Sequence, residues 1–130
     1  MSDNAITVGI NDIVVMNGPY EFKKEEILRV LQSSGTNGNY RTGVLNSQKR
    51  FIPRYVGRGD VFTRLNAHID EGSPDTHFKF IYESNELESY KIESADYDYF
   101  GGIYNQLRNQ EHPKKPDGMS EVVLCPYCGK

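Results

Sequence analysis

Residues 54–69 read RYVGRGDVFTRLNAHI. The stretch starts as a strand, bends at Gly57 and Gly59, and reaches Asp60, whose short carboxylate suits a helix N-cap. Phe62, Leu65 and Ile69 then recur at i, i+3 and i+7, which predicts a helix over about 61–70. On that helix Arg64 and His68 are four apart and project from one face. A guanidinium there can hold a phosphate oxygen and an imidazole can relay a proton. Strand, glycine turn and helix within sixteen residues predict an α/β fold and already suggest what one helix face does.

Working outward, YRTGVLN (40–46) and FIPRYVG (51–57) are strand-like and joined by the polar SQKR, a hairpin signal that puts Tyr55 on the second strand. Upstream, FKKEEILRVLQ (22–32) sets Ile27, Val30 and Leu31 on one helical face, and AITVGINDIVVMNGPY (5–20) predicts one or two short strands. Downstream, EGSPDT breaks the second helix and HFKFIY (77–82) alternates as a third strand. Asn85 followed by Glu88 marks a helix start. Leu87, Tyr90, Ser94 and Tyr97 share a face of that helix, and FGG ends it. The rest is loop-rich, with a short apolar strand at Val122–Leu124. The expected architecture is one α/β domain, a small sheet flanked by helices. It has an N-terminal strand-helix extension, a β-β-α-β-α core over about 40–112, and a Cys-containing tail, 113–130.

At 130 residues, 37% hydrophobic and 25% charged, the chain is sized for one buried core. No apolar run approaches the ~20 residues that cross a bilayer, and MSDNAITVGIND lacks the basic and apolar regions of a signal peptide, so a cytoplasmic protein with no membrane contact is expected. The net charge of −3 argues against a sequence-independent nucleic-acid coat. Charge is segregated, however. Between Tyr40 and Arg64 six basic residues meet one acid, for +5, and between Ile69 and Asp98 nine acids meet two lysines, for −7. A basic half suits a polyanion, an acidic half a cation or solvent.

The succession GVL (43–45), YVG (55–57), Arg64-x-x-x-His68, a helix bearing Glu93, and then Asn109 resembles the GIY-YIG nuclease superfamily. The tail resembles a bacterial subgroup of it with an Asn-x-x-His-Pro segment and a CPxC motif. The resemblance implies a metal-dependent DNA endonuclease that hydrolyses phosphodiester bonds, with DNA as partner. Tyr55, helped by His68, would take the proton from the attacking water. Arg64 would neutralise phosphoryl charge, Glu93 would hold Mg²⁺ or Mn²⁺, and Asn109 would orient the site, with Glu86 and Asp96 as fallback metal carboxylates. Arg58, Arg54 and Gly57 stand on the substrate side, and arginines near Tyr55 are expected to favour its anionic form.

One position departs from the family. Its first-motif tyrosine is matched by Leu45, which carries no proton, and period-two alternation turns Tyr40 to the opposite face from Leu45. The alternative function is therefore an inactive module of the same fold that binds nucleic acid or a protein partner; a homo-oligomer is also open. Cys125 and Cys128 leave three readings: a structural Zn²⁺ site completed by His112 and His77, a redox pair, or two inert thiols.

Overall fold

The computed structural model describes residues 9–116. After a 3-10 turn at Ile10–Asp12 come β1 (Asn17–Glu21), α1 (Lys24–Leu31), β2 (Asn37–Leu45), β3 (Phe51–Asp60), α2 (Val61–Asp70), β4 (His77–Tyr82) and α3 (Glu86–Asp96). A π-helical turn, Tyr97–Ile103, continues α3. The expected order, strand and helix followed by β-β-α-β-α, is the order observed. Among the described residues of the opening stretch one strand forms, β1, beginning at Asn17, and α3 ends as an α-helix at Asp96, before FGG. Val122–Leu124 and both cysteines lie outside the described residues.

The four strands form one antiparallel sheet in the order β1-β4-β2-β3. The β2–β3 turn is built by Asn46, whose side-chain oxygen accepts from the backbone N–H of Gln48 and of Arg50, both at 2.9 Å. Local capping sets the helix starts. Asp60 Oδ1 accepts from Thr63 N at 3.2 Å to start α2, while its Oδ2 accepts from Gly35 N at 2.6 Å and ties down the loop before β2. Asn85 Oδ1 likewise accepts from Glu88 N at 3.1 Å to start α3. Each cap satisfies an N–H that the helix cannot satisfy itself.

Helices α1 and α2 cover one face of the sheet and α3 the other. The hydrophobic core lies under the first pair: Ile27, Leu31, Tyr40, Val61, Leu65, Phe78 and Phe80 are all buried there. Cross-strand partners point to the same side, so Tyr40, opposite both Gly57 and Phe80, and Tyr55, opposite Thr42, share this face. Asn39, Arg41 and Arg58 point to the α3 face. Between Tyr55 and Pro53 the register shifts: Arg54 has no partner on β2, which makes it the extra residue of a bulge. Among the described residues no helix is long and apolar enough to cross a membrane.

Candidate active site

Helix α2 delivers its polar face to the sheet where the sequence predicts. Tyr40, fully buried on β2, makes a 2.8 Å hydrogen bond between its phenol oxygen and His68 Nε2. The Tyr55 ring stands edge-on to the same imidazole, with centroids 4.7 Å apart. Arg64, one turn before His68, acts on the Tyr40 phenol through its charge. Two phenols, an imidazole and a guanidinium therefore converge on one corner of the α2 face.

Gly57 makes the Tyr40 position possible. A Cβ there would fall 2.3 Å from the Tyr40 phenol oxygen and 2.4 Å from Cζ, and that ring is buried and cannot swing away. What approaches Gly57 closely is thus the tyrosine of the neighbouring strand. Gly59, at φ +129°, supplies the backbone that turns β3 into α2 and that a side chain would strain.

Leu45 does not stand across from Tyr55. Leu45 sits at the end of β2 opposite Phe51, while Tyr55 stands opposite Thr42. Period-two alternation does separate Tyr40 from Leu45, but Tyr40 is the one that shares Tyr55's face.

The electrostatics also correct an expectation. Burial raises both phenols, Tyr40 well above its ordinary range, and the charge of Arg64 offsets only part of this. Both tyrosines are therefore protonated at neutral pH, and the anionic Tyr55 expected from nearby arginines is not favoured. Burial, then the charge of Arg64, holds His68 below its usual value, so the imidazole is neutral. With the imidazole proton on Nδ1, the Tyr40 O–H donates to Nε2. In that tautomer the protonated Nδ1 of His68 is 3.8 Å from Glu71 Oε2.

Glu93 comes from the other face. Its Oε1 accepts from Arg58 Nη1 at 2.5 Å, with both side chains mostly buried. Burial raises the carboxyl and Arg58 opposes it. The negative charge of Glu93 nevertheless reaches Tyr40 and Tyr55 around the β3 edge. Of the fallback carboxylates, Asp96 is committed to a buried pair with Arg41, at 2.7 and 2.9 Å, and Glu86 is exposed in the first turn of α3.

The basic residues expected on the substrate side divide. Arg58 is turned to α3: besides Glu93 it donates to the Lys114 carbonyl and lies over the Tyr90 ring, 5.3 Å from the centroid. It holds Glu93 and does not face the phenols. Arg54, carried outward by the bulge, reaches the Gln106 carbonyl at 3.4 Å. Asn109 clamps the edge of β3: its Oδ1 accepts from Val56 N at 3.0 Å and its Nδ2 donates to Val56 O at 2.9 Å. It fixes the backbone between Tyr55 and Gly57.

Arg108, which sequence reasoning passed over, lines the clefts beside Tyr55 and is held bidentately by Asp75 at 2.8 and 2.7 Å. Its only sequence signal is its position next to Asn109. His77 bonds to the Thr76 hydroxyl at the start of β4, whereas His112 lies against the Tyr90 and Tyr97 rings. Among the described residues no three His, Cys, Asp or Glu side chains gather as a metal cluster. No family model, curated protein or solved structure matches the chain.

Proposed function

We propose that the chain is a DNA endonuclease of the GIY-YIG kind. The observation that carries this reading is the convergence of Tyr40, Tyr55, Arg64 and His68, with the 2.8 Å phenol–imidazole hydrogen bond at its centre. With Tyr40 in the site, the first motif is better read as Gly38-Asn39-Tyr40, whose tyrosine pairs across the hairpin with Gly57, the last residue of Tyr55-Val56-Gly57. The phenol that Leu45 lacks is thereby supplied, which favours the enzyme over the inactive module.

The reaction is hydrolysis of a phosphodiester by a water in line with the leaving 3′ oxygen. Two neutral phenols are poor bases alone, but Tyr40 can accept the proton of the water while passing its own to His68 Nε2. The proton then rests on an imidazole that was neutral beforehand. Tyr55 hydrogen-bonds and orients the water or the phosphate. Arg64 sits where charge develops on the phosphoryl oxygens. Pre-organisation carries most of the rate, since phosphoryl transfer leaves the protein little covalent work.

Glu93 fits a hard divalent cation. It is an oxygen donor whose charged form burial penalises, so a cation beside it is favoured, and in this structure Arg58 fills that role. Mg²⁺ or Mn²⁺ bound there would neutralise charge at the leaving oxygen, with phosphate oxygens and waters completing its coordination. Arg58 then sets how readily the carboxylate is released to the ion.

The test is cleavage of supercoiled plasmid in Mg²⁺ by wild type and by Tyr40→Phe, Glu93→Ala and Leu45→Ala, all folded by circular dichroism. Tyr40→Phe should lose ~10²-fold or more in rate, as expected for a proton-transfer group. Glu93→Ala should be inactive and Leu45→Ala should cut at near wild-type rate. A wild type that leaves DNA intact in Mg²⁺ and, in a parallel assay, in Mn²⁺, or a fully active Tyr40→Phe, rejects the reading.

A further inference from the structure

We infer that Arg108 is a second phosphate-contacting residue, which holds the DNA backbone beside the phosphate presented to Arg64. The inference rests on the nuclease reading above and extends it to a residue outside the family motifs.

Its first support is the shape of the surface. A cleft of about 250 Å³ opens between Tyr55, His68, Ser73 and Arg108. A neighbouring cleft is lined by Tyr55, Arg108, Asn109 and Gln110. Tyr55 and Arg108 line both, so concave surface lies on more than one side of the phenol and the guanidinium.

The second support is how Arg108 is held. Its two terminal nitrogens bond the two oxygens of Asp75, and Asp75 Oδ2 also accepts from Thr42 Oγ1 at 2.6 Å, on the strand that carries Tyr40. The backbone N–H of Arg108 donates to the Arg54 carbonyl at 2.6 Å, so both ends of the residue are fixed. A counterion serving only Asp75 would be covered along with it. The Asp75 side chain is 2% exposed, yet that of Arg108 is 41% exposed. Asp75 uses two of the five guanidinium N–H groups, and the others have no hydrogen-bond partner among the described residues. A guanidinium fixed in this way presents its outer edge to a phosphate with little ordering entropy left to lose.

The third support is placement. Arg108 is close enough to Tyr55 and His68 for its charge to act on both. Arg58, a cation expected at this face, is turned to α3 and bound to Glu93, while Arg54 donates to the Gln106 carbonyl and lines a separate cleft with Arg108. Arg108 and Arg64 are the two arginines whose charge acts on the Tyr55 phenol.

The experiment measures binding of a short DNA duplex in EDTA, which keeps it uncut, over a series of salt concentrations. Wild type is compared with Arg64→Gln, Arg108→Lys and the double variant Asp75→Asn/Arg108→Gln. The double variant exchanges the ion pair for an amide pair, leaves no unpaired buried charge and does not alter net charge, so it is the form expected to fold. It should bind roughly tenfold more weakly and lower the slope of log K against log salt by up to ~0.9, the signature of one lost phosphate contact. Arg108→Lys should keep the slope. In cleavage with Mg²⁺ the double variant should raise KM and leave kcat nearly unchanged. If affinity falls with the slope unchanged, or neither changes while Arg64→Gln lowers both, Arg108 is only the counterion of Asp75 and this inference fails alone. If wild type does not bind DNA, the nuclease reading fails and the inference with it.

Discussion

The two faces of the sheet are held in opposite ways. Under α1 and α2 the core contacts are apolar and aromatic: Phe78, Phe80, Ile27, Leu31 and Leu65 close the core, Tyr40 carries the only polar atom of that buried cluster, which is satisfied by His68, and one polar network, Thr42–Asp75–Arg108, lies beside it. Under α3 the contacts are polar and ionic. Asn39 Nδ2 donates to the Ser89 carbonyl at 2.9 Å, Arg41 pairs with a fully buried Asp96, and Arg58 pairs with Glu93. Asn39 Oδ1 and Ser94 Oγ have no hydrogen-bond partner among the described residues. Burying apolar surface stabilises regardless of orientation, whereas a buried ion pair barely offsets the desolvation of its own charges and mainly fixes geometry. The α2 face therefore supplies stability and the chemical groups. The α3 face positions one carboxylate, Glu93, at the edge shared with the phenols.

The sharpest way to break this contrast is to unpair a charge on the α3 face. Arg41→Ala strands Asp96 in a buried site and removes the bond from Arg41 to the Val14 carbonyl. Urea unfolding should show a loss of about 3–5 kcal/mol, the range for half of a buried pair removed. The double change Arg41→Met/Asp96→Leu should recover most of it, and if it does not, the pair contributes more than geometry.

A smaller effect is expected where the α2 face is packed most closely. Gly57→Ala forces the Tyr40 ring to move, at a cost of about 1–3 kcal/mol typical of overpacking. Displacing that phenol also lengthens its bond to His68, so cleavage should fall far more than stability does. Equal losses in both would mean that the phenol–imidazole bond is not part of the chemistry.

The smallest effect is pH dependence. The pKa of His68 is lowered in the folded state, so between that value and about 6.5 the unfolded chain binds more protons than the native one. Stability is complete above about 6.5, falls as pH drops through that window and levels off below the folded value. Thermal melts from pH 7.5 to 5 should show this slope, and His68→Gln should flatten it. The acid limb of cleavage should correspondingly fall below 6.5, because the base stays neutral to lower pH.

Much of the fold was legible because it is written locally. Asp60 and Asn85 cap the helices that their positions announce, and the four-residue spacing sets Arg64 and His68 on one face of α2. The site was legible in part, through Tyr55, Arg64, His68 and Asn109. The approach of Tyr40 to His68 was not legible, because matching letters along one strand does not reveal which residue shares the face of Tyr55. That depends on the hairpin register and on the bulge that consumes Arg54.

By itself, the sequence determined the order of elements, the helix starts and the polar face of α2, since periodicity and capping act within a few residues. The tertiary structure decided that Tyr40 joins the phenols, that Arg58 is bound to Glu93 and that Arg108 is drawn to Tyr55 by Asp75. Those partners lie 28 to 35 residues apart along the chain. Their meeting depends on strand register and on the burial of charge, which only the assembled sheet and its two unlike faces can set.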